Sequence, residues 1–487
     1  MAARRASLGS WVAACAVAVS TLATVAAESL PSEVAMRVGE ARYLEVQAAL
    51  ADLVPPAAPA PRSDLARIKG FAIAETDLRV ALFRVARPEL AADHAMLLRA
   101  QGPRGATALA VTSGIAPVSA LLAAARAEFP GWVGPQGLRV AVVVAPGATL
   151  TLRPGERLQL DRTAGAFVLN FGTLDLSGGT VAGTGEPNPA AAAFAPFVLT
   201  AGQGVLRARG VHFADLGFGD RPIFGGVAVV ANSLFGQALS SFLYDSTLLR
   251  VGSVLFSGAG IVDVTGNRFV DPRQTALILE STDGARIVDN LFFGGTGGDA
   301  IQLRDRATGT RIAGAEILRP KKSGVVLEAG SHRTTLRDVA IWRPGHKGID
   351  VDRSECLSMA GLRVLGARRA AVVLAGSRGT TLADSMLVGA QDAGLWISDL
   401  PEDAVTSVTG TRFGLNRVGI ETAAPGAVAL RGNDFRDQFP RFLGGDVQPL
   451  TPRLLSDLMN AAPLVLAAGG TIRPLAQAPA CLGHKER

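Results

Sequence analysis

The densest set of chemistry-bearing residues in this 487-residue chain is His346-Lys347-Gly348-Ile349-Asp350-Val351-Asp352-Arg353. Asp350 and Asp352 alternate with Ile349 and Val351, the pattern of a strand that points both carboxylates to one side. His346 and Lys347 fall on the turn before it. Two carboxylates, an imidazole and the Arg353 guanidinium could abstract a proton beside the acid group of a uronic acid. The arginine would neutralise that group and lower the cost of a carbanion-like state, while His346 or a carboxylate moves the proton. The plainer alternative is a solvated turn with local ion pairs, and both readings stand at this point. Of the five histidines, only His212, His332 and His346 fall in the repetitive part of the chain, as does one of the two tyrosines, Tyr244. No nucleophile elbow, phosphate loop or zinc signature is present. A cation shared by Asp350, Asp352 and Glu328 would lack any recognised calcium-loop spacing, so neither a metal nor another cofactor is expected.

What must position these residues is a repeat. Ala276-Leu-Ile-Leu-Glu280, Ala300-Ile-Gln-Leu-Arg304, Gly324-Val-Val-Leu-Glu328, Gly348-Ile-Asp-Val-Asp352, Ala371-Val-Val-Leu-Ala375, Gly394-Leu-Trp-Ile-Ser398 and Gly419-Ile-Glu-Thr422 start 24, 24, 24, 23, 23 and 25 residues apart. So regular a period is the mark of a solenoid. The second and fourth residues of each unit, such as Leu277 and Leu279, form two aliphatic columns pointing inward. Between the units lie apolar pairs five residues apart: Ile287/Phe292, Ile312/Ile317, Leu336/Ile341, Met359/Val364, Leu382/Leu387, Val408/Phe413 and Leu430/Phe435. The odd spacing predicts a bend that divides each segment into two short strands, with Asn290, Ser385, Thr411 or Asn433 at the bend. Fainter copies are read upstream at Ala208/Phe213, Val230/Phe235, Val251/Phe256 and Val264/Phe269. A leucine-rich consensus is absent, and helical repeats would need a 3.6-residue period. The expected fold is all-β: a right-handed parallel β-helix with coils of about 24 residues, a partly helical N-terminal cap region and a short helical C-terminal cap.

The outward positions then carry function. The third residues read Ile278, Gln302, Val326, Asp350, Val373, Trp396 and Glu421; the fifth read Glu280, Arg304, Glu328, Asp352, Ala375 and Ser398. Rungs about 4.8 Å apart approach the length of a sugar residue, so Glu280, Gln302, Arg304, Glu328, Lys347 and Trp396 are candidate substrate-binding residues. Ile278, Val326 and Val373 would leave apolar surface beside them. A bare ion-pair ladder Glu280–Arg304–Glu328 is the alternative, since exposed pairs add little.

The ends differ from the middle. Arg4 and Arg5, an apolar run from Trp11 to Val25 and small residues at Val25-Ala26-Ala27 read as a signal peptide over 1–27. Val12-Ala13-Ala14-Cys15 resembles a lipidation box, but the apolar region continues well past it. Removing 1–27 lowers the formal charge from +6 to +4, a bias compatible with an anionic polymer and without the basic-aromatic runs of a nucleic-acid binder. Export permits a disulfide between the remaining Cys356 and Cys481. No transmembrane anchor is expected after signal cleavage. Residues 28–135 form a mixed region with helices at Glu33–Leu53 and Val118–Phe129 and a linker near Pro55–Pro61. The β-helix takes 136–445, and 446–487 a cap and tail with an amphipathic stretch at Pro452–Leu466.

With Val144-Ala-Pro-Gly-Ala-Thr-Leu150 leading into Gly165-Ala-Phe-Val-Leu-Asn170 and a succession of Gly-Ile-x-Val rungs, the sequence resembles the periplasmic mannuronan (alginate) carbon-5 epimerases. That resemblance implies a β-helix that removes the carbon-5 proton of a mannuronate residue and returns one from the opposite face. The family motif is Asp-Pro-His-Asp within Gly-Ile-Asp-Pro-His-Asp-Arg-Ser. Here the nearest text is Gly348-Ile-Asp-Val-Asp-Arg-Ser354, one residue shorter and without the proline or histidine. Ala276–Asp283, with Glu280, is the other counterpart by chain order. The resemblance implies a periplasmic protein meeting an acidic exopolysaccharide, alongside other periplasmic polysaccharide-export proteins. A lyase sharing the first proton abstraction and a non-catalytic polysaccharide-binding scaffold remain open.

Overall fold

A computed structural model describes residues 31–51, 53, 70–85, 88–231, 240–423 and 426–467. The expected signal peptide, the Pro55–Pro61 linker, Phe235, Cys481 and the end of the tail lie outside the described residues. The chain winds into a parallel β-solenoid of about 12 turns at roughly 24-residue spacing. Three sheets run its length. Sheet A extends from Ala141–Val144 through Leu277–Glu280 and Ile349–Asp352 to Arg441–Gly445; sheet B from Thr149–Leu152 through Arg286–Val288 to Ala427–Arg431; sheet C from Arg157–Asp161 through Leu291–Phe293 to Asp434–Asp437.

The two inward columns of sheet A stack in strict register. Leu277 pairs with Ile301, Ile301 with Val325, Val325 with Ile349, and so on through Val372 and Leu395. All of these are fully buried, and each aliphatic side chain removed from water stabilises the fold by roughly 1.5–3 kcal/mol. The five-residue pairs divide as their odd spacing predicts: Ile287 lies on sheet B and Phe292 on sheet C. Upstream the pattern is less regular. Val251 precedes a sheet A strand that contains Phe256, and the corresponding B/C pair is Leu243/Leu248 instead. Coils there vary in length, with the register partners Val198, Val227 and Val254 29 and 27 residues apart and Leu243 and Val264 21 apart, which shifts the apolar residues relative to the later ones.

Polar residues at the bend are satisfied rung to rung. The Asn267 amide donates to the Leu243 carbonyl at 2.7 Å and to Asn290 Oδ1 at 3.0 Å, and Asn290 donates in turn to the Val264 carbonyl at 2.8 Å. Buried amides without such partners would each cost a desolvation penalty. The corner between sheets B and C alternates aspartate and glycine, Asp289 (φ 52°), Gly314 (φ 61°), Asp338 (φ 54°) and Gly361 (φ 66°), all left-handed. At Gly314 a Cβ would stand 2.1 Å from Asp289 Oδ1, so a side chain there would have to push the Asp289 carboxylate aside at a φ that already favours glycine.

The ends are closed by different devices. Thr107–Pro117 is one long strand whose first half pairs with sheet A at Ala141–Val144 and whose second half pairs with sheet B at Thr149–Thr151, so paired rungs begin upstream of residue 136. Helix Val118–Glu128 seats Val118, Leu121 and Ala125 on this first coil. Helix α1, Ser32–Ala51, is no end cap. It lies lengthwise on sheet C, with Tyr43 stacked on Phe293 at 5.4 Å, Gly39 against Trp342, and Arg42 paired to Glu316 at 2.8 Å. A 20-residue helix is about 30 Å long, so α1 straps several coils, from Asp437 at its N-terminus down to Phe293. At the far end the amphipathic stretch divides: Thr451–Leu455 is helical, whereas Leu464–Ala467 is a strand antiparallel to Ala427–Leu430 that covers the last edge of sheet B.

Candidate functional site

The outer surface of sheet A changes character along its length. In the N-terminal coils Leu169, Leu199, Ala228 and Leu255 lie beneath helices Leu78–Phe83 and Ala91–Ala100 and beneath loops carrying Phe194, Phe197, Phe218 and Phe224. Phe218 stacks on Phe224 at 5.3 Å and Phe167 on Phe197 at 4.7 Å. Ile278 is the last residue under this cover and only 2 % exposed, so it presents no surface to a ligand. Beyond it Gln302, Val326, Asp350, Trp396 and Glu421 are partly exposed. Val373 is also buried, because Trp396 leans over it with Ala370, Ala393 and Val418. Of the expected apolar surface, only Val326 and the Trp396 ring remain accessible.

Most polar residues of this open half are already paired. Glu280 accepts from Arg304 at 2.8 and 3.1 Å and from the Ser257 hydroxyl at 2.9 Å. Glu328 accepts from the Gln302 amide rather than from Arg304, so the expected three-member ion-pair ladder stops after two. Lys347 Nζ donates to both oxygens of Asp350 at 2.8 Å, and Arg353 grips Asp352 at 2.9 to 3.2 Å. Asp350 and Asp352 share the outward face as expected. His346 is exposed on the preceding turn, and among the described residues its ring makes no hydrogen bond to Asp350. Sheet and turn therefore place the four candidate catalytic residues on one rung, while tying each carboxylate to a neighbouring cation.

A column missed by attention to strand positions runs along the turn from sheet C into sheet A. The backbone N–H of Lys322 bonds to the Gly298 carbonyl, His346 to Lys322, Arg369 to His346, and Asp392 to Arg369, at 3.0 to 3.3 Å, so these four positions lie above one another on successive rungs. Asp392 lies between Arg369 at 3.7 Å and Arg417 at 3.5 Å. One residue further on, Asp299 accepts the Ser323 N–H at 2.8 Å. Burial pushes the Asp299 carboxyl above the usual carboxylate range; the Ser323 N–H and Lys322 oppose the shift, and the Asp350 charge adds to it. The signal for this column was available in the sequence as a constant offset, three residues before each inward aliphatic. The result is an open face whose turn-side edge carries Lys322, His346, Lys347, Arg369 and Arg417 beside Asp392, and whose opposite edge carries Glu280, Glu328, Asp352 and Glu355 beside Arg304 and Arg353. Among the described residues no three His, Cys, Asp or Glu side chains are arranged to hold a metal ion, and no helix is long and apolar enough to cross a membrane.

The fold defines a class, the parallel β-helix proteins, and solved structures give it nearer neighbours. The chain is similar to the crystal structure of the periplasmic alginate epimerase AlgG, at 17% identity with a TM-score of 0.60, covering 81% of this chain and 99% of that one. A point variant of the same enzyme matches at 16% identity and a TM-score of 0.62, covering 81% and 98%. No protein-family model matches the sequence, and no curated protein does. At this identity the likeness establishes a shared fold over nearly the whole length of AlgG.

Proposed function

We propose that this protein is a periplasmic, epimerase-like enzyme that binds uronate residues of an acidic exopolysaccharide along the open half of sheet A and inverts them at carbon 5. The observation that carries the reading is the basic turn column stacked beside the Asp350 rung, on a fold shared with an alginate epimerase. A uronate carboxylate arriving at this edge competes with Asp350 for Lys347. Capture of Lys347, helped by Arg369, neutralises the substrate acid and makes its carbon-5 proton removable. The same exchange frees Asp350, so the ion pair of the empty site becomes a base when substrate is present. His346, exposed and next to both, is the second proton carrier, returning a proton to the other face of the sugar. Asp352 and Arg353 contact the neighbouring residue of the polymer, as do Glu280, Gln302, Arg304 and Glu328, and Trp396 supplies the platform.

A non-catalytic scaffold that guides polymer within an export assembly is favoured by one specific observation, that Asp350 and Asp352 are both charge-paired. Incubation with polymannuronate in deuterated water separates the readings. Epimerisation gives carbon-5 deuterium without chain cleavage, and a lyase gives unsaturated, ultraviolet-absorbing ends. A scaffold gives binding with neither.

A further inference from the structure

Tyr244, one of two tyrosines in the chain, takes no part in the open face of sheet A. It stands on the outer side of sheet B with Phe242, two residues before it in the strand Ser241–Tyr244, and the two rings stack at 4.5 Å and 15°. Register partners extend both positions into columns. Arg207 pairs with Phe242, Phe242 with Asp263, Asp263 with Arg286 and Arg286 with Arg311; Arg209 pairs with Tyr244 and lies over its ring at 5.2 Å. We propose that this ridge, two stacked rings between Arg207 and Arg209 on one side and Arg286 and Arg311 on the other, is a second binding surface for an acidic polysaccharide, separate from the open face of sheet A. The inference takes its ligand class from the reading of that face as a polyuronate site.

Strand alternation makes the surface. Ser241 and Leu243 point inward and are buried, so Phe242 and Tyr244 point outward and stay partly exposed. Later rungs of sheet B carry Thr335, Ser358 and Thr381 where Phe242 stands here. A stacked pair is a rigid apolar ridge, and the C–H groups of a pyranose ring carry the partial positive charge that its π electrons attract. Arg207 and Arg311 are exposed, and among the described residues no carboxylate pairs with either. Arg286 comes only to 3.9 Å from Asp263. Asp263 is itself engaged, accepting from the Thr265 hydroxyl at 2.6 Å. Burial, the Asp263 charge and a hydrogen bond to that carboxylate hold the Tyr244 phenol above its usual range, so the ring stays uncharged beside a polyanion.

Charge and position favour a polyanion over a protein partner. The column through Arg207, Phe242, Asp263, Arg286 and Arg311 holds three cations and one acid. The nearest other carboxylates lie outside it, Asp175 one rung beyond Arg207, and Asp245 and Asp289 on the corner toward sheet C. Two rings offer far less apolar area than the centre of a stable protein interface. From Arg207 to Arg311 is four rungs, about 19 Å, the length of about four sugar residues. The two surfaces are also continuous. Arg311 belongs to the coil of Ile301–Arg304, where sheet A first opens at Gln302. A polymer leaving the open half across the corner therefore meets Arg311, then Arg286, then the rings, on coils whose own sheet A is sealed. That corner carries Asp305 beside Arg306, so it presents no barrier of a single sign.

The test titrates long polymannuronate at low salt against the full protein and three variants of it: Phe242→Ser with Tyr244→Ser, Arg286→Ser with Arg311→Ser, and Lys347→Ala on sheet A. Both sheet B variants are expected to bind about three- to tenfold more weakly, and the arginine variant to lose part of the salt dependence, with the melting temperature retained. The exposed arginines can be removed without touching the core, so wild-type affinity in that variant would overturn the inference even if the aromatic variant unfolds. Loss in the Lys347 variant alone would leave the sheet A reading standing and remove the second surface. Loss in the sheet B variants alone would keep the second surface and remove the sheet A reading. A wild-type protein that binds no polymannuronate would overturn both.

Discussion

The two halves of sheet A share one backbone, one register and the same inward aliphatic columns, yet their outer faces serve opposite ends. Over the N-terminal coils Leu169, Leu199 and Leu255 are sealed beneath a phenylalanine cluster; over the later ones Gln302, Asp350 and Trp396 stay open between charged edges. Identical strand geometry is thus neutral as to function. What decides is whether the preceding segment folds back, as helices Leu78–Phe83 and Ala91–Ala100 do over the early coils, and whether outward residues are apolar enough to hold it there. The boundary falls between Ile278, buried, and Gln302, one rung on.

Substitutions on either side of that boundary should behave differently. Phe197→Ala, in the sealed half, should lower stability by about 3–5 kcal/mol in urea unfolding, because a fully buried ring leaves a cavity. A loss under about 1 kcal/mol would mean that the cover is not packed as described. Ile278→Gln should cost about 1–3 kcal/mol by burying an amide under that cover. Gln302→Ile, its mirror image in the open half, should stay within about 0.5 kcal/mol. Equal costs for the two would erase the boundary.

Smaller effects belong to the open half alone. The folded-state carboxyl of Asp299 titrates above its unfolded value, so the stability it contributes is fully present below the unfolded pKa and is lost as pH rises through the folded one. Asp299→Asn keeps an acceptor for the Ser323 N–H and should flatten that decline in a pH series of unfolding midpoints. A wild-type profile as flat as the variant's would remove the desolvated carboxyl from the account. Arg304→Ala, which breaks the half-exposed pair with Glu280, should change stability by no more than about 1 kcal/mol.

The sequence announced the solenoid because inward positions answer to one requirement, apolar and in register, which survives as a period. Its bends were equally legible, since the five-residue spacing of Ile287 and Phe292 fits no single strand. Outward positions answer to whatever lies above them, and that depends on segments distant in the chain. Ile278 and Val373 read as exposed apolar surface until the cover and Trp396 are in place. Helix α1 was legible as a helix, but its pattern could not distinguish an end cap from a strap along sheet C. Of the site, the rung bearing Asp350 and Asp352 was evident from alternation. The Lys347 and Arg353 pairings, and the stacked turn column that includes Asp299, follow from a rung-to-rung geometry that spacing implies only once the offset is examined.

The most direct test of the central claim is the initial rate of deuterium incorporation at carbon 5 of polymannuronate by the wild-type protein and by Asp350→Asn and His346→Ala. The account predicts incorporation by wild type and losses of about 100-fold or more in each variant, with the melting temperature retained. Polymer binding without any incorporation by wild type, or variants that exchange at the wild-type rate, would contradict it.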